Sequence, residues 1–167
     1  MTKSKIGEVI NAMISYYSGD VRRINHFLKV YSFAKTIGEM ENLTEETQNI
    51  LEIAAVTHDI GIKISEQKYN SCAGNYQQIE GPPEAKELLS SLNIESEIIE
   101  RVCYLIAHHH TYHNIVEMDY QILVEADFLV NAYEDNMDDV AIEKVKNKLF
   151  RTETGKKLLE QMYIKPL

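Results

Sequence analysis

Four polar side chains sit where the pattern of this chain calls for apolar ones. His26 shares a helical stripe with Val30, Phe33 and Ile37. His58 and Asp59 follow a run of apolar and small residues in "LEIAAVTHDIGIK", residues 51–63. Asp127 lies inside "QILVEADFLV", flanked by Ile122, Leu123, Val124, Phe128, Leu129 and Val130. A lone carboxylate there is costly to desolvate unless it is paired or bound to a cation. Two imidazoles and two carboxylates carried by separate buried helices can satisfy one another by closing around one metal ion. Neutral imidazole nitrogen and carboxylate oxygen suit zinc, iron or manganese. Taken singly, each residue has an ordinary reading as a hydrogen-bonded core histidine, a helix cap or the partner of an arginine. Four such coincidences in one small domain are less economical than one shared cation.

A second cluster, "IAHHHTYHN", carries His108, His109, His110 and His113. His109 continues the inward stripe of Ile98, Val102, Leu105 and Ile106. His109 and His113 are four apart and share a face if the helix runs past Thr111. The cluster reads either as a second metal or phosphate site, or as a solvated helix end whose cations meet the helix dipole favourably. The motif HExxH is absent, which excludes a zincin-type protease site.

The elements that must position these groups are helical. Only three prolines and seven glycines occur, and period-3.6 patterns dominate. Helices are expected over residues 6–17, 21–40 and 44–61. Asp20 is the N-cap of the second, and Gly61 is the C-terminal cap of the third. Residues 62–81, "IKISEQKYNSCAGNYQQIEG", read as a long loop. Pro82 and Pro83 then fit the first turn of a helix over 82–91. Further helices are expected over 95–109, 120–133, 139–150 and 152–162. The reading is a compact all-α single-domain helical bundle spanning residues 1–167.

Composition bounds the partners. The chain has 167 residues and a formal net charge of −9, from 26 acidic and 17 basic residues. That argues against a polymeric nucleic acid or an anionic membrane as partner, but not against a small phosphorylated ligand in a local pocket. No apolar run approaches a membrane span, and the N-terminus lacks a signal-peptide core. Cys72 and Cys103 form no CxxC pair and read as free thiols of a cytoplasmic protein.

The ordered set His26, His58-Asp59 ("HDIG") and Asp127 resembles the HD-domain superfamily of metal-dependent phosphohydrolases. The resemblance spans about residues 20–135, with the 139–162 helices packed on that core. It implies a compact helical bundle in which these four residues hold a divalent metal: iron, manganese, zinc, nickel or magnesium. It also implies that Asp59 can bridge to a second metal. Members with two metals take a His before the fourth helix and a His pair after the fifth. The pair maps to His109 and His110, with His108 one register away, and Glu80 stands where the earlier His is expected. The signature of the cyclic-dinucleotide phosphodiesterases of this superfamily is absent.

The activity implied is hydrolysis of a nucleotide or another small phosphate ester by metal-activated water. Asp59 and His109 are the expected catalytic groups. Lys63 is a catalytic and phosphate-binding candidate, and Arg23, one turn before His26, a further phosphate contact. Both cations have an ordinary reading as surface charge. His109 or His110, if not ligands, could serve as general acid or orient the substrate. The alternatives are a non-catalytic HD-fold metal- or nucleotide-binding module and, further off, a di-iron oxygenase. A homodimer is compatible with the sequence.

Overall fold

The computed structural model describes residues 3–164. Among them nine helices and no strand are found: α1 Ile6–Tyr16, α2 Val21–Met40, α3 Glu45–Thr57, α4 Ile62–Tyr69, α5 Gly74–Ser91, α6 Ser96–His108, α7 Met118–Glu134, α8 Asp139–Leu149 and α9 Glu153–Tyr163. The all-α single domain expected from periodicity is what forms. No described helix is long and apolar enough to cross a membrane. Both cysteines are free thiols.

α3 is the axis of the fold. Every residue from Leu51 to Thr57 is buried, because α1, α2, α6 and α7 all pack against it. Each fully buried aliphatic side chain there contributes roughly 1.5–3 kcal/mol relative to exposure. α2 and α7 also pack on each other, which closes a layer around one end of α3. The helix starts are capped as polar side chains dictate. Asp20, Thr44, Asp138 and Thr152 each accept the backbone N–H three residues on.

The helix ends use asparagine. α2, α5 and α7 are each followed by Asn42, Asn93 or Asn136 in the left-handed conformation. The next N–H reaches back to the helix: Leu43 to Gly38 O, Ile94 to Leu89 O and Met137 to Ala132 O, at 3.1, 3.1 and 3.0 Å. These are Schellman ends, and the apolar residue after each asparagine packs on the core. The pairs Asn42-Leu43, Asn93-Ile94 and Asn136-Met137 therefore stop three helices.

Two expectations are corrected. Residues 62–81 are not a loop, since they form α4 and the first half of α5. Pro82 and Pro83 lie inside α5 rather than at its start. A proline pair removes two backbone donors and bends a helix, yet burial of Gln77, Glu80 and Gly81 carries the helix through. Gly61 is not a left-handed cap either, because its φ is −74°. Its need for glycine is close approach: a Cβ there would meet Gly81 N at 2.8 Å and Gln77 O at 2.9 Å. The turn after α3 thus crosses α5 backbone to backbone. Gly61→Ala should lower stability by about 1–3 kcal/mol, read as a lower thermal midpoint. An unchanged midpoint would show that the two backbones separate at no cost.

Candidate metal centre

The four singled-out residues converge. His26 Nε2 and His58 Nε2 lie 3.3 Å apart. Asp59 Oδ2 is 3.2 Å from the first and 3.3 Å from the second. Asp127 Oδ1 is likewise 3.2 and 3.3 Å from them. The other oxygen of Asp59 faces His109 Nε2 at 3.5 Å. Asp59, His109 and His110 form a second group whose ligand atoms lie within 4.8 Å of one another. Asp59 thus faces both groups, one oxygen to each.

The outer ring nitrogens explain which way the inner ones point. His58 Nδ1 donates to Ala55 O and His109 Nδ1 to Ile106 O, both at 2.7 Å. His26 Nδ1 faces Glu134 at 3.1 and 3.2 Å. An oxygen acceptor at Nδ1 holds the proton there and leaves Nε2 a lone pair. His58 and His109 are the residues that end α3 and α6. Their Nδ1–H groups take carbonyls of the last turn, which lack an intrahelical partner. One hydrogen bond both finishes the helix and aims the imidazole.

This arrangement concentrates electron pairs in a buried volume. Asp127 Oδ1 and His109 Nε2 are buried without a hydrogen-bond partner. Burial opposes charge on His26, yet the carboxylates of Asp127 and Asp59 close to its Nε2 outweigh it and raise its pKa to about 10. His58 is fully buried, but the charges of Asp59 and Asp127 hold its pKa well above the usual range. Burial likewise disfavours the charged Asp127, and His58 and His26 more than offset it and lower its pKa. The site demands positive charge, and protons and a cation compete to supply it. His26, His58 and Asp59 bring ligand atoms within 4.8 Å of one another. The 3.2–3.3 Å pairs among them have the spacing of ligands sharing one ion at about 2.0–2.2 Å, and Asp127 Oδ1 lies against both histidines. The residues present therefore fit a divalent cation.

The HD-domain profile matches residues 23–160. The chain belongs to the HD-domain family. HD domains bind divalent metals. A crystal structure of a predicted HD superfamily hydrolase from an uncultured Thermotogales bacterium shares this fold. Its TM-score is 0.68 at 24% identity, covering 94% of this chain and 84% of that one. No curated protein matches significantly.

Other residues singled out in the sequence of this HD domain fall elsewhere. Glu80 does not join the second group. Its carboxylate is bound by Lys68 Nζ at 3.0 and 3.2 Å and by Tyr69 OH at 2.9 Å, and the Lys68 bond lowers its pKa. Gln77, one turn earlier on α5, reaches the site instead, with Oε1 3.3 Å from His110 Nε2. Lys63 donates to Tyr16 O at 3.1 Å and lies over the Tyr16 ring, so it belongs to the end of α1. Arg23 lines the mouth of the site beside Arg22, but it is paired with Glu66 and Asp20. His108 stacks on Tyr104 and bonds to its carbonyl, which excludes it as the register alternative. α6 ends before His113, which is exposed.

Glu134 was missed as the carboxylate behind His26, although it lies seven residues after Asp127, two turns along one face of α7. Glu134→Gln should weaken divalent metal affinity about 10–100-fold without changing stoichiometry. Glu80→Ala should leave both affinity and stoichiometry unchanged. Elemental analysis with metal titration checks both. Loss of a metal equivalent in Glu80→Ala would return Glu80 to the site.

Proposed function

We propose that this HD domain is a metal-dependent phosphohydrolase acting on a nucleotide or another small phosphoester. The observation that carries this is the double-faced Asp59, set between the His26–His58–Asp127 cluster and His109–His110. His26, His58, Asp59 and Asp127 would hold the cation, and Glu134 would fix the His26 ring. A divalent cation held there lowers the pKa of water and neutralises phosphoryl charge. Asp59 Oδ1, facing His109, is the acceptor placed to orient an attacking water for in-line displacement.

His110 is kept neutral. Burial, and then the neighbouring His109, lower its pKa to about 4. With Gln77 Oε1 accepting at Nε2, its Nδ1 offers a lone pair rather than a proton. That favours positioning of water or a weak second cation over general-acid catalysis. At the mouth, Arg22 is the cation available to a phosphate. The binding-module reading draws on a different observation. Lys63 and Arg23, the two cations expected to meet phosphate, are both engaged by other protein groups. The di-iron alternative lacks a charged third ligand at Gln77.

Asp59→Asn should cost at least several hundred-fold in kcat/KM, on the order of 3–4 kcal/mol of transition-state stabilisation, with helicity retained. Lys63→Ala should leave the rate unchanged. The assay is phosphate release from nucleotides and sugar phosphates by protein loaded in turn with iron, manganese, zinc and nickel. Inertness on the whole panel would favour the binding module, and undiminished activity in Asp59→Asn would place the chemistry elsewhere.

A further inference from the structure

Two cavities of opposite character meet on α7. One, about 540 Å³, opens over the metal centre and is lined by charged and polar residues that include Arg22, Arg23, His26 and Asp59. The other, about 330 Å³, lies between α7 and α8 and is walled by Val124, Phe128, Val145 and Leu149. Asp127 and Asn131 line both. Val124, Asp127, Phe128 and Asn131 form one stripe of α7 at helical spacing. Val145, Lys148 and Leu149 form the facing stripe of α8. α8 packs on α9, which leaves this slot open against α7.

We propose that the slot is the second half of the substrate site and takes the base of a nucleoside phosphate whose phosphate lies at the His26–Asp59 cluster. The position of the phosphate rests on the phosphohydrolase reading; the slot and its chemistry do not. A ligand that spans the two cavities crosses Asp127, so its bond to phosphorus lies beside the metal centre. The slot is at the small end for ligand pockets, which suits one base and not a long chain.

The lining favours a base over an alkyl group. Phe128 and Tyr112 bring aromatic rings to the slot, and aromatic pairs stack on planar ligands. Asn131 and Lys148 add a neutral amide and an ammonium. Neither side chain is hydrogen-bonded or ion-paired to another described residue. An alkyl chain would cover these groups without partners, which is unfavourable. The edge of a base offers acceptors to both and a donor to the amide oxygen. Lys148, exposed on α8, would then read an acceptor, and Tyr112, on the segment after α6, would cover the ring.

Binding can be measured on metal-loaded protein by calorimetry and saturation-transfer NMR. The probes are the four common ribonucleosides, their 5′-monophosphates, ribose 5-phosphate and hexyl phosphate. The variants are Val145→Trp, which fills the slot, and Lys148→Met, which keeps its volume and removes the charge. At least one nucleoside should bind through its base protons. Its monophosphate should bind at least about tenfold more tightly than ribose 5-phosphate. Val145→Trp should erase that advantage with metal content unchanged, and Lys148→Met should reduce it several-fold. Should Val145→Trp fail to fold, Lys148→Met and the wild-type ligand series decide.

Equal affinity for ribose 5-phosphate or hexyl phosphate would overturn the proposal, as would nucleotide affinity unaltered in folded variants. Base-dependent binding that the variants abolish, without phosphate release on any metal, would uphold the slot and defeat the phosphohydrolase reading. Equally fast hydrolysis of ribose 5-phosphate and every nucleotide would uphold the reaction and defeat the slot.

Discussion

The structure depends on holding several electron pairs against one another in a buried volume. Imidazole nitrogens 3.3 Å apart, with a carboxylate oxygen on either side, do not stay together of their own accord. Each is fixed from behind. His58 and His109 are tied to carbonyls at the ends of α3 and α6, and His26 to Glu134 on α7. The convergence is therefore a property of three helix positions rather than of flexible side chains. Because α3 is buried along its second half, its end cannot retreat toward solvent. A buried helix ends on His-Asp because the imidazole completes the helix while the carboxylate faces two groups at once.

The same constraint explains the close crossing of Gly61 and Gly81. Asp59 lies two residues before Gly61, and Gln77 four before Gly81. Bringing the two backbones together sets Gln77 against His110. Side chains at either glycine would push α5 outward, since a Cβ on Gly81 would meet Ile106 at 2.6 Å. Tyr17 adds a clamp from the other side, donating to Asp59 O at 2.7 Å. Site geometry and local packing are one problem here.

The helical class, most helix boundaries and the first cluster were legible because burial imposes periodicity and the four polar residues break it. What was not legible has particular causes. Pro82 and Pro83 carry a strong local signal for a helix start, and tertiary burial of Gln77 and Gly81 overrode it. Gly61 read as a turn glycine because a sequence records the absence of a side chain but not its reason. Glu80 and Gln77 differ by one turn, and only the path of α5 decides between them. Asn42, Asn93 and Asn136 carry a readable signal, an asparagine followed by an apolar residue that packs on the core. Glu125 is the sharpest case. It is as buried as Asp127 and two residues away, yet it binds Gln121, Thr152 and the backbone N–H groups of Arg151 and Thr152 at the start of α9. No local pattern separates that structural carboxylate from the one in the candidate metal centre.

Charge then decides how an anion can be held. The chain is net acidic, and Asp59, Asp127 and Glu134 crowd the centre. The nearby cations are largely committed: Arg23 to Glu66 and Asp20, Lys29 to Glu134, Lys68 to Glu80. Arg22 alone of the arginines at the mouth has no ion pair among the described residues. Two carboxylates at the floor of a cavity repel a phosphate unless their charge is neutralised, and at separations of a few ångströms in a partly dry site that repulsion outweighs one exposed guanidinium. On the phosphohydrolase proposal, a divalent cation would reverse the sign of the floor, and cation and phosphate would bind with positive coupling. On that proposal the acidic surround would work as selectivity, because an anion would gain nothing from this pocket until the cation is in place.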